Sequence, residues 1–79
     1  MKNLIELSHT ELMLSFAASC IEGVARKLGI PYKEVFARMK RVGMIENYIL
    51  PYYDTLHTES REHVTDNMVE CLITWEAKR

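Results

Sequence analysis

Between Ser8 and Gly29 the apolar residues Leu12, Met13, Phe16, Ala17, Cys20, Ile21, Val24 and Leu28 recur at intervals of three and four, while Glu11, Ser15, Glu22 and Arg26 fall largely off that stripe. This is the spacing of one face of an α-helix. Its ends are marked as well. Ser8 and Glu11 fit a capping box, in which the Ser side chain accepts from a free amide and the Glu reaches back to the cap. Gly29 supplies the usual C-terminal stop. Gly23, inside the helix, costs up to about 1 kcal/mol relative to Ala and lets another backbone come close. The apolar face must be covered by the remainder of the chain.

That remainder is read as three more helices. Pro31 suits the first turn of the second, where its missing amide hydrogen is not needed; Val35, Phe36 and Met39 form its apolar face, and Gly43 ends it. Lys40 and Arg41 in its last turn complement the helix dipole. From Met44 to Leu56 a third, shorter helix has Ile45, Tyr48, Ile49, Tyr52, Tyr53 and Leu56 at helical spacing, with a kink or a break into two short turns at Pro51. The last helix is capped by Thr65 or Asp66 and carries Met68, Val69, Cys71, Leu72, Ile73 and Trp75, with residues 61–64 extended before it. No alternating run argues for a convincing strand. The expectation is an all-α fold, a small bundle of four helices forming a single helical domain over residues 1–79.

A chain of 79 residues buries only about 60–65% of the surface its unfolded form exposes, so a disulfide, a metal or a partner has to be considered as a source of stability. Cys20 and Cys71 each sit within an apolar helical pattern, where a free Cys behaves as a small hydrophobe. No signal peptide is read, and no run of roughly 18 or more apolar residues suggests a membrane span. Reduced thiols and a cytoplasmic location follow as expectations, with a Cys20–Cys71 disulfide disfavoured. For a metal, His57, His63, Cys71 and Asp54 are the residues to weigh, but their spacings match no tight ligand pair. Neither a metal nor a cofactor is expected.

Net charge is −1 but segregated. Residues 26–41 hold Arg26, Lys27, Lys33, Arg38, Lys40 and Arg41 against Glu34 alone, and residues 42–76 hold seven acids against Arg61 alone. Packing of the two segments against each other is the plainer reading; a patch that meets a partner of opposite sign is the functional one. Nucleic-acid binding would use Lys33, Arg38, Lys40 and Arg41 against phosphates. The helix after the glycine turn, MIENYILPYY, is mostly apolar and carries an acid, which does not suit a recognition helix reading base edges.

The stretch YYDTLHTES, residues 52–60, concentrates polar chemistry. Asp54 and His57 are three apart, so on a helix the carboxylate could orient the imidazole. Catalysis also needs a nucleophile or bound water and a cleft, and no strained turn presents Thr58 or Ser60 as one. Tyr53, Asp54, His57 and Thr58 therefore read as a structural turn, with polar side chains satisfying carbonyls freed at a helix end. Tyr48, Tyr52 and Trp75 combine large apolar area with a polar handle, as partner-binding residues do. At least one of Tyr52 and Tyr53 must be partly exposed, since neighbours on a helix face different ways. Lys40, Arg41, Tyr48 and Tyr52 are the candidate partner-binding residues.

CIE at 20–22, KEVFARMKRVG at 33–43, NYI at 47–49, YDTLHT at 53–58 and Asp66 together resemble a bacterial family of short proteins, domain of unknown function family 3791. The likeness spans nearly the whole chain, and residues 53–58 are its most specific part. The sequence departs from the usual pattern at Pro31, where a small polar cap is common, and at Pro51, where the helix usually runs on. The resemblance implies a small helical protein with no established enzymatic activity. Members of the family often look to be encoded beside proteins similar to ADP-ribosyltransferases, which implies a toxin-antitoxin or similar partner role. The functional expectation is a non-enzymatic protein-interaction module, self-association included, with a nucleic-acid-binding regulator as the alternative.

Overall fold

The computed structural model describes residues 8–78, and over that span the chain is all-α. Four α-helices run in the order α1, His9–Leu28; α2, Tyr32–Arg41; α3, Tyr53–Leu56; and α4, Arg61–Ala77. A π-helical segment, Ile45–Ile49, lies between α2 and α3. Among the described residues no strand forms.

The ends of α1 follow from its sequence. Glu11 N–H donates to Ser8 Oγ at 3.1 Å and Ser8 N–H donates to Glu11 Oε1 at 3.0 Å, so both halves of the capping box are made. At the other end Gly29 takes a left-handed conformation, φ 71°, and donates to the Ala25 carbonyl. A Cβ there would cost about 1–2 kcal/mol. Pro31 is the N-cap of α2 rather than a residue of its first turn; its ψ of 147° is extended, and the helix proper starts at Tyr32.

Pro51 breaks the third helix in two. It has no N–H to continue the ladder. The Ile45 carbonyl is instead taken by Leu50 N–H, five residues on, at 3.0 Å, and Tyr53 N–H turns back to the Leu50 carbonyl at 3.3 Å. The α-helical register resumes only at Tyr53.

Helix α1 is the common support: both α2 and α4 pack along it. The core joins Cys20, Ile21 and Val24 of α1 to Val35 and Met39 of α2 and to Val64, Met68 and Leu72 of α4, with Met44, Ile49 and Leu56 of the intervening segment closing it. Cys20 and Cys71 are free thiols. At Gly23 the neighbour that comes close is a side chain, not a backbone: a Cβ built there would stand 2.7 Å from Thr65 Oγ1.

Four expectations need correction. Helix α4 begins a turn earlier than its apolar pattern, so residues 61–64 are helical and Thr65 is a buried helix-interior residue, not a cap; Ser60 caps the helix by accepting from His63 N–H at 3.1 Å. Phe36 is 40% exposed because it stands one residue, about 100°, round from Val35, and Val42 takes the place expected of it beside Val35 and Met39. Ile73 is exposed for the same reason, next to the buried stripe Val64, Met68 and Leu72. Leu12 is exposed because α4 meets α1 further along, at the level of Gly23 and Lys27.

Candidate functional site

The candidate partner-binding residues fall into two groups. Tyr48 rises from the π-helical segment, half-buried, with its ring 6.2 Å from Trp75 of α4 and 5.7 Å from Tyr52. Tyr52, at the break after Pro51, is 53% exposed and forms the outer rung of this aromatic ladder. Burial pushes the Tyr48 hydroxyl above its ordinary pKa, so it stays protonated and able to donate. Lys40 belongs elsewhere. Its ammonium lies 5.9 Å from the centroid of the Phe36 ring, on the edge of a groove of about 260 Å³ between α2 and the π-helical segment, floored by Phe36, Ile45 and Leu50. Glu46 is a second charged residue of its lining.

Arg41 projects from the last turn of α2, near enough to Glu76 for its charge to help hold that carboxyl below the ordinary range. The dominant partner of Glu76 is Arg38, whose Nε and Nη2 donate to the two carboxylate oxygens at 2.8 and 2.7 Å. Lys27 likewise pairs with Asp66 at 2.7 Å. The basic and acidic segments therefore touch, and two of the six cations counted in the sequence are committed to carboxylates across the fold. Arg26 is held by Glu22 within its own helix at 3.0 Å. Lys33, Lys40 and Arg41 have no ion pair among the described residues.

In the turn at residues 53–58, His57 Nδ1–H donates to the Tyr53 carbonyl at 2.7 Å and Thr58 Oγ1–H donates to the Thr55 carbonyl at 2.8 Å. Both satisfy carbonyls freed where α3 ends. The imidazole also stacks on the Tyr53 ring, 4.3 Å between centroids and nearly parallel, while His9 and Phe16 meet the same ring edge-on. Asp54 is exposed, and among the described residues no hydrogen bond joins it to His57. The ring is oriented by a backbone carbonyl and a tyrosine face.

Two further cavities flank this turn, and the sequence pointed to neither. One, of about 250 Å³, lies against Ser19, Cys20, His57, Glu59 and Arg61; the other, of about 230 Å³, opens between α1 and α4 among Glu22, Arg26, Lys27, Glu62 and Asp66. Burial raises the Cys20 thiol to about 11, which keeps it protonated and unreactive at neutral pH. Ser19 Oγ–H donates to the Phe16 carbonyl at 2.8 Å. Only the joint placement of α1 and the start of α4 brings these residues together, and that start was misread. Among the described residues no three His, Cys, Asp or Glu side chains converge as a metal site would require. No described helix is long and apolar enough to cross a membrane.

No curated protein and no solved structure matches the chain. A family model does match, the one described as "Protein of unknown function (DUF3791)", over residues 15–75, a span that runs from the second turn of α1 through α2, the π-helical segment and α3 to Trp75 of α4. The chain belongs to the DUF3791 family.

Proposed function

We propose that this chain is a non-enzymatic, cytoplasmic interaction module that binds a protein partner through the surface around Tyr52. The observation that carries the reading is the aromatic ladder. Tyr52 presents a large, half-exposed ring backed by Tyr48, which is itself backed by Trp75. A tyrosine so supported offers contact area and a hydroxyl while losing little side-chain freedom on binding. Arg41, without an ion pair among the described residues, adds a donor with a strong preference for carboxylates.

The partner class implied by the family resemblance is an ADP-ribosyltransferase-like protein, which this module would bind and restrain. Affinity capture of the tagged chain from its native cell, with nuclease-treated and untreated lysates in parallel, tests the reading. Capture of a stoichiometric protein that survives nuclease is expected. Tyr52→Ala and Arg41→Ala should each weaken that capture about tenfold or more while leaving helical content intact. Retention at wild-type levels by both variants sinks the assignment of this surface, and recovery of nucleic acid alone sinks the protein-partner reading.

A further inference from the structure

We propose that the groove between α2 and the π-helical segment is a docking site for a second copy of this chain, the two copies related by a two-fold axis. The groove is apolar at its floor and unpaired at its charges. Phe36 is 40% exposed, Tyr32 one turn earlier on the same side of α2 is 44% exposed, and Ile45 and Leu50 are only partly covered. Lys40 and Glu46 both line this groove, and neither has an ion pair among the described residues.

The volume selects the kind of occupant. About 260 Å³ lies below the roughly 300–1,000 Å³ of small-molecule pockets but is ample for one bulky apolar side chain. The charges select which chain supplies it. A two-fold interface is isologous: if residue i of one copy meets residue j of the other, then j also meets i, so the surface must complement itself. An apolar floor bordered by one cation and one anion does so. Rotating a second copy onto the groove sets Phe36 of each chain against Ile45 and Leu50 of the other, and pairs Lys40 with Glu46 twice.

This deepens the interaction-module reading by adding a second copy as a partner, through residues other than Tyr52 and Arg41, so the two can fail separately. Sedimentation equilibrium of the purified full-length chain across the micromolar range is the test. The wild type is expected to form a concentration-dependent dimer. Phe36→Glu, which keeps a helix-favouring residue in α2, should weaken dimerisation about tenfold or more with unchanged far-ultraviolet circular dichroism. Lys40→Glu and Glu46→Lys should each weaken it about two- to fivefold, and the double variant should return towards the wild type because the pair is restored with its polarity reversed. A wild type that stays monomeric throughout overturns the proposal. So does a dimer indifferent to Phe36→Glu, or a double variant no better than the singles.

Discussion

Gly23 sits where α1 crosses α4, and the residue it faces is Thr65, a buried threonine whose Oγ1 would lie 2.7 Å from any Cβ added at position 23. Real side-chain carbons do not approach so closely, and a β-branched neighbour is stiff at χ1 and cannot swing clear easily. Two effects oppose each other in Gly23→Ala. Helix propensity favours the alanine by about 1 kcal/mol. Overpacking a close helix crossing costs about 1–3 kcal/mol. The second should win, so the variant is expected to melt several degrees below the wild type. Adding Thr65→Ala removes the obstructing hydroxyl and leaves the propensity gain, so the double variant should melt above Gly23→Ala alone; equal melting temperatures would show that the crossing is not what requires glycine. A glycine interrupting a strong helical pattern signals a close approach, and that much was legible in the sequence. Its partner was not, because Thr65 reads as a capping residue until the true start of α4 is known.

That start is the clearest case of an element whose boundary and apolar face do not coincide. The face of α4 opens at Val64, but Ser60 caps the helix one turn earlier, and Arg61, Glu62 and His63 fill that turn with exposed polar side chains. Pattern alone sees where a helix becomes buried, not where its hydrogen bonding begins. By contrast, the start of α1 is legible because Ser8 and Glu11 cap each other reciprocally, and the break at Pro51 is legible because the missing amide is a covalent fact. Phe36 and Ile73 mark a third situation. Each is an apolar residue adjacent to a core residue, and only tertiary packing decides which of two neighbours turns inward. If Ser60 is the working cap of α4, Ser60→Ala should destabilise the chain by about 1 kcal/mol in urea unfolding, since His63 N–H loses its acceptor. Thr65→Val, which keeps the shape and removes only the hydroxyl, should leave the helix boundary unchanged. A Ser60→Ala chain as stable as the wild type would contradict the cap.

Across the whole molecule the segregated charge resolves into specific links, and one of them is sensitive to acid. Helices α2 and α4 both pack on α1, and the Arg38–Glu76 pair ties α4 near its end to the middle of α2. The opposite signs of the two segments made contact between them an evident expectation, yet which cation meets which carboxylate depends on helix crossings that spacing does not encode. Arg38 donates to both oxygens of Glu76, and this, with the charge of Arg41, holds the carboxyl below its ordinary value. In the unfolded chain a glutamate titrates near about 4.3. Because the folded value is the lower one, the pair's contribution is fully present above the ordinary value and is lost as pH falls through the lowered one. The side chains are about a quarter exposed, 27% and 24%, so solvent screens the pair and its worth is set at about 1 kcal/mol despite the bidentate geometry. Glu76→Gln should therefore be less stable than the wild type by about that amount at neutral pH, and the gap should narrow in acid below the ordinary carboxylate range until the two unfolding midpoints meet. Urea titrations at matched pH values measure it directly. A gap that persists unchanged in acid would mean that Glu76 contributes by packing or by shape, and that the link between α2 and α4 does not depend on its charge.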